Sequence, residues 1–225
     1  MLALKQALSL NTIKNLGSWQ PSDETGLEAW YKYQTGITLN GSDVSAWADS
    51  SENSFNMVQA TASEQPAYNS GAIEFTPADT HNLGSASDIT LSGAFTIGVK
   101  LEPDASNVTV LGSNTTVNEF FKISTSTSLR FKTDGSQIDI TLDSGSFVAD
   151  NYLVITRNAS NLITLYKNGV AQADTETLAG TADINAIGVR RTDLNPYDGT
   201  ISEIQIFDTE SAALTANVNT YLSNL

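Results

Sequence analysis

The chain has 225 residues, no cysteine, and 25 acidic against 11 basic residues, for a net charge of −14. This excludes a disulfide framework. It also weighs against nucleic-acid binding and against an anchor on an anionic membrane, both of which call for the opposite sign. No run approaches the roughly 20 apolar residues of a membrane span, and a hydrophobic fraction of 40% spread in short runs predicts one large β domain, or two small ones, with a substantial core.

Residues 1–22 differ from the rest, carrying Lys5 and Lys14 and no acid. Leu4, Ala7 and Leu8 fall at helical spacing with Ile13 nearby, which predicts a short amphipathic helix or a sticky arm. Gly17-Ser18 and Pro21-Ser22 would end it. As a secretion signal it is poor, because Gln6 and Ser9 break the apolar run and Lys14 follows. Two roles stay open. The arm folds back on its own sandwich, or it docks on another subunit through Leu4, Lys5, Leu8, Ile13 and Lys14, with Trp19 as an anchor. The expected division is a docking arm, residues 1–22, and a β domain, residues 23–225.

Trp30 and Trp47 lie in apolar strand runs and read as core aromatics. The loop Asp49-Ser50-Ser51-Glu52-Asn53-Ser54 is rich in turn formers. A Ca²⁺ role for Asp49 and Asn53 is open, and it needs several oxygens to converge. His81 is the single histidine, and with no cysteine it cannot build an ordinary zinc site. It reads as a surface loop residue, or as a glycan contact.

Phe95–Leu101 alternates, with Phe95, Ile97, Val99 and Leu101 on one face. Short strands follow at Val108–Leu111, Glu119–Ser124, Leu129–Lys132 and Ile138–Leu142. Tyr152–Arg157 is expected to pair with Leu162–Lys167, and Asn168-Gly169 then marks a turn before a polar interval. In the last strand, Ile201–Phe207, Ile204 and Ile206 face one way. Ile201, Glu203, Gln205 and Phe207 face the other, a mixed face expected to be partly wet. Ser211–Tyr221 is a helix candidate whose Leu214, Val218, Tyr221 and Leu222 suit packing on a sheet edge. These elements predict an all-β antiparallel sandwich with a short C-terminal helix.

The order Tyr166, Asn168-Gly169, Ile187-Gly188, Tyr197, Gly199, Ile201, Glu203, Ile204, Ile206, Phe207 and then a helix resembles the end of laminin-G-like, concanavalin A-like jelly-roll domains. Leu27-Glu28-Ala29-Trp30-Tyr31, the segment Val44–Ser50 with Asn53, Gln65-Pro66-Ala67-Tyr68 and Ile73-Glu74-Phe75 resemble its opening pieces. The resemblance implies a jelly roll in which Asp49 and Asn53 mostly stabilise their turn. It leaves function open, because the fold hosts glycan binders, glycosidases and inert modules. As a glycan binder the domain would use His81, Arg190, Arg191 and Tyr197.

The retaining glucanases of this fold carry E-x-D-x-x-E or E-x-D-x-E on one strand, two carboxylates facing one another across the scissile bond. Here Gln205 stands where the partner of Glu203 would be, and Asp139 stands alone, so no enzyme is expected. No G-x-S-x-G, P-loop, H-E-x-x-H or EF-hand loop occurs either. The opening MLALKQALSLNTIKNLG, followed by LEAWYKYQTGITLNGSDVSAWADSS, resembles virion structural proteins of marine, cyanobacteria-infecting tailed phages. That implies a location on the virion, other virion proteins and further copies of the chain as partners, host-surface glycan as a target, and no cofactor beyond Ca²⁺. The alternative is a carbohydrate-binding or adhesion module of a bacterial surface protein.

Overall fold

The computed structural model describes residues 18–134, 136–191 and 194–225. Seventeen strands run through them. They are β1 (Leu27–Tyr31), β2 (Ile37–Asn40), β3 (Asp43–Trp47), β4 (Met57–Val58), β5 (Ala67–Asn69), β6 (Ala72–Phe75), β7 (Leu83–Leu91), β8 (Phe95–Pro103) and β9 (Val108–Gly112). Then come β10 (Phe120–Thr125), β11 (Ser128–Lys132), β12 (Gln137–Thr141), β13 (Asn151–Arg157), β14 (Leu162–Lys167), β15 (Val170–Thr177), β16 (Ala182–Ile187) and β17 (Gly199–Phe207), followed by the helix α1 (Ala212–Leu222).

The antiparallel pairings form two layers. One runs β15-β14-β13-β8-β17, and the far side of β17 is shared between β6 and β1. The other runs β12-β11-β10-β9-β16-β7-β4-β3-β2. At one edge β5 bridges to β3, at Asp43 and Ala67, and joins the layers. At the other edge side chains cap backbone. Asp174 accepts from Thr141 N at 2.7 Å, Gln172 from Asp143 N at 3.0 Å, and Asp143 from Ala173 N at 3.0 Å. Unpaired strand edges are sites of association, and these contacts cover part of them, while β2 pairs only with β3.

Phe95, Ile97, Val99 and Leu101 all point into the space between the layers, as their alternation predicts. The pairing of β13 with β14 is in register from Leu153–Lys167 to Arg157–Ile163. Asn168 and Gly169 then turn the chain with φ of 50° and 78°, the left-handed values a two-residue hairpin needs. The polar interval that follows is strand β15. It is mostly exposed, so a hydrophobic alternation cannot mark it.

The face assignment of Ile201–Phe207 needs correcting. Ile201 pairs with Leu101 and Glu203 with Lys100, so Ser202 is the extra residue of a β-bulge. The bulge turns Ile201 into the main core beside Ile204 and Ile206. The opposite face is not wet. Glu203, Gln205 and Phe207 are fully buried there. Helix α1 lies over that face rather than at a sheet edge, and Leu214, Val218 and Leu222 form a second core with Val154 and Phe207. Gly98 makes room for it, since a Cβ at that position would stand 2.6 Å from Val218 Cγ1. Ser211 caps the helix by accepting from Leu214 N at 3.1 Å.

Arg157 is also fully buried. Its guanidinium donates to the carbonyls of Gly93 (2.6 Å), Gly180 (2.8 Å) and Leu91 (3.0 Å) and lies 4.8 Å from the Phe95 ring centre. Burial pushes its pKa down. It stitches the turns after β7 and before β16 to the end of β13.

Candidate functional site

Helix α1 covers the outward face of the first layer. The second layer carries a different outward face, and β9–β12 build it by alternation. Phe121, Ile123, Leu129, Phe131, Ile138 and Ile140 point into the core. Phe120, Lys122, Arg130, Lys132, Gln137 and Asp139 therefore point out. The register sets Thr109, Lys122, Arg130 and Asp139 side by side across four strands, with Phe120, Lys132 and Gln137 in the next row.

Arg190 arrives from the segment after β16. Its Cζ stands 4.4 Å from the centre of the Phe120 ring, and Lys122 Nζ stands 5.9 Å from it. Phe120 is 2% exposed and forms the floor under these cations. Arg190 donates to Val117 O at 3.2 Å and Asn195 Oδ1 at 2.7 Å. Lys122 donates to Asn107 Oδ1 at 2.8 Å, and Lys132 to Asn118 Oδ1 at 2.9 Å. Arg130 makes a bidentate pair with Asp139, both bonds 2.7 Å.

Burial first, then the charges of Arg190 and Arg130, push the Lys122 ammonium below its ordinary range. Arg190 is lowered by burial and then by Arg130. Arg130 is raised by its bond to Asp139. Two buried polar atoms at this face, Thr109 Oγ1 and Arg190 Nε, have no hydrogen-bond partner among the described residues. Glu119 precedes Phe120 in the chain. Its carboxyl is raised by burial, and its charged surroundings are Asp183, Asp134 and Asp88.

Of the residues singled out in the sequence, Arg190 lies in this cluster and Arg191 is exposed beside it. Tyr197 is not a surface contact. It is fully buried, its ring is edge-on to Phe75 at 5.7 Å, and its hydroxyl donates to Thr200 O at 3.3 Å. Burial pushes its phenol well up, and the ring is out of reach of any ligand. His81 is not an open loop side chain either. It is 12% exposed, and its Nδ1 accepts from Thr76 N at 3.0 Å, closing its own loop.

Asp49 organises its turn, accepting from Trp30 N, Ser51 N and Phe55 N and from Ser51 Oγ. Asn53 donates to the carbonyls of Leu27 and Glu28. Both are spent on the loop rather than gathered around a cation. Among the described residues no group of three His, Cys, Asp or Glu side chains is placed to hold a metal ion.

Trp19 also differs from its expected role as a docking anchor. Its ring packs edge-on against Tyr221 at 6.1 Å, and its Nε1 donates to Glu24 at 2.9 Å. It anchors the entry of the chain to its own helix. Leu4, Lys5, Leu8, Ile13 and Lys14 lie outside the described residues.

Glu203 stands on the opposite layer. It accepts from Trp30 Nε1, Tyr33 N and Gln205 Nε2 beneath α1. Burial pushes its pKa up, against those hydrogen bonds. Asp139 is held by Arg130. Among the described residues neither carboxylate is recorded against a second one across a cleft, the arrangement a glycosidase uses.

Sequence alone points to Arg190 and passes over Phe120, Lys122, Arg130 and Lys132. A signal was present. Phe120-x-Lys122 and Arg130-x-Lys132 place four residues on one side of neighbouring strands. What the sequence does not show is which side is outward, or that Arg190 crosses over it.

No curated protein matches the sequence. Among solved structures, the binding domain of Paraclostridial Mosquitocidal Protein 1 superposes with a TM-score of 0.61 at 14% identity, over 91% of this chain and 53% of that one. Domain 4 of AbnA, a GH43 extracellular arabinanase from Geobacillus stearothermophilus solved with arabinotriose, gives 0.61 at 17% identity, over 89% and 99%. The botulinum neurotoxin serotype D/C binding domain gives 0.59 at 12%, over 91% and 53%. The chain thus spans about half of each toxin binding domain and nearly all of the arabinanase domain. At these identities the likeness is one of fold. Residues 76–217 match the laminin G-like family model described as the concanavalin A-like lectin/glucanases superfamily. That match spans well over half of the sequence, and it agrees with the two-layered antiparallel architecture, so the chain belongs to the concanavalin A-like lectin/glucanases superfamily as a laminin G-like domain.

Proposed function

We propose that the chain is a non-catalytic, lectin-like module of a phage virion, which presents the outward face of β9–β12 to glycan and docks through residues 1–22. The observation that carries the glycan reading is the cluster of Arg190, Lys122, Arg130 and Lys132 over Phe120. Arg190, Lys122 and Lys132 are held by amide and carbonyl groups and Arg130 by Asp139, and no helix among the described residues covers this sheet. Rigid, convergent polar groups on a sheet are suited to sugar hydroxyls and acid groups. The arabinanase domain, solved with arabinotriose, lends the same fold a sugar ligand. The absence of catalysis is supported by the lone, internally bonded state of Glu203 and Asp139.

The virion reading is supported by the resemblance of the opening residues and by the contrast between a cationic arm and an acidic body. Its test compares the full chain with one beginning at Ser18, which keeps the Trp19–Tyr221 packing. Light scattering should report two folded proteins, and co-sedimentation with phage particles should retain only the full chain. Equal behaviour of both would remove the docking role. For the glycan face, a glycan array probed with the wild type and with Arg190→Gln should show binding that the variant loses at least tenfold. An array on which no sugar binds would overturn this half of the reading.

A further inference from the structure

We propose that the ligand of the β9–β12 face is an anionic glycan, one bearing carboxylate or sulfate ester groups, received by Arg190, Arg130 and Lys132 with Lys122 beneath them. This rests on the glycan-binding reading and narrows it to a chemical class.

Charge placement carries the inference. The chain has 11 basic residues against 25 acidic ones, yet four of the basic ones share this face. Asp139 is the one acid that points outward with them on β9–β12. Among the described residues, these four cations and Asp139 sum to +3 on a chain of net charge −14. With so many carboxylates available, a purely structural cluster would be neutralised in place. Instead Lys122, Lys132 and Arg190 are held by the neutral oxygens of Asn107, Asn118, Val117 and Asn195. Among the described residues only Arg130 of the four is in an ion pair. Amide partners fix the geometry of a cation and leave its charge unanswered.

Holding like charges together out of water is unfavourable, and the pKa values of Lys122 and Arg190 are lowered by burial first and then by that repulsion. An incoming carboxylate or sulfate would relieve it. The unpartnered atoms lie at the same place. Thr109 stands directly opposite Lys122 in the register and is buried. Its Oγ1 and Arg190 Nε are the unsatisfied atoms there. Buried polar atoms without partners are uncommon in native proteins. Phe120 acts as a positioning residue, because its ring lies 4.4 Å from the Arg190 guanidinium carbon.

A nucleic acid fits less well. Its phosphates recur along the strand and are bound by extended basic tracks. Here the cations form one compact cluster around Phe120. A short acidic sugar needs one anchor point.

The test is calorimetry on the full chain with four probes: a galacturonic acid trisaccharide, the neutral galactose trisaccharide, the same galactose trisaccharide carrying sulfate esters, and oligo-dT. The expected result is that an acidic sugar binds at least tenfold tighter than the neutral one, with an advantage that shrinks as salt rises. The carboxylate and sulfate arms identify which acid is preferred. Arg190→Gln should cut that binding about tenfold. Lys132→Gln, whose side chain is more peripheral, should do the same without risk to folding, and Lys167→Gln should have no effect. If the neutral sugar binds as tightly as both acidic ones, this inference falls and the glycan reading stands. If no sugar binds, both fall. Oligo-dT binding as tightly as the acidic sugars would overturn the glycan class.

Discussion

Glu203 shows how a single side chain can be read wrongly from its type. Carboxylates are almost never fully buried unless paired, so its place in Ile201–Phe207 points to a wet face. Burial raises its pKa against its hydrogen bonds, so the folded state holds this proton more tightly than the unfolded chain does. A group raised in this way contributes stability at pH below its unfolded value, and that contribution is lost as pH rises through the folded value. Gln205 Oε1, buried and without a partner, stands beside it, where a protonated Glu203 has an acceptor once the amide turns. The thermal midpoint of the wild type should fall as pH rises above the ordinary carboxylate range, and Glu203→Gln should flatten part of that slope. A variant with an unchanged slope would remove Glu203 as its source. Glu203→Leu should instead cost about 3 kcal/mol in denaturant unfolding, because the buried donors Trp30 Nε1 and Tyr33 N lose their acceptor. Arg157 carries the same lesson with the opposite sign. Its three carbonyl partners come from segments far apart in sequence, so nothing near Arg157 announces them.

At the scale of elements, legibility follows whether the deciding interaction is local. The alternation of Phe95–Leu101, the Asn168-Gly169 turn and the helical spacing of Leu214, Val218 and Leu222 are local, and all can be read directly. The Ser202 bulge is set by β8 across the ladder, so the face of Ile201 cannot be read from its own strand. Likewise α1 is legible as a helix, but its seat on the first layer depends on Gly98, more than a hundred residues earlier in the chain. Gly98→Ala would bring a Cβ within 2.6 Å of Val218 and 3.2 Å of Leu222, and should destabilise by about 1–3 kcal/mol. Combined with Val218→Ala, the loss should be smaller than the sum of the two single changes. Additive losses in chemical denaturation would show that the two positions do not meet. The cationic face was half legible for the same reason: Lys122 and Arg130 alternate locally, whereas Arg190 reaches Phe120 only through the fold.

For the whole molecule, a net charge of −14 means that most surface charges repel one another. Screening should therefore raise the thermal midpoint between about 10 and 500 mM sodium chloride, and a midpoint that falls with salt would show that the paired charges outweigh the repelling ones. The same salt should weaken an acidic sugar at the Arg190 cluster, so stability and binding are expected to move in opposite directions. The packing of Trp19 on Tyr221 has a directional meaning. It places the start of the described chain on the helix-covered layer, while the Arg190 cluster sits on the outward side of the other layer. Anything that grips the chain ahead of Trp19 would hold the sandwich by its back, with the basic cluster turned outward like a palm, and many copies so held would all face the same way.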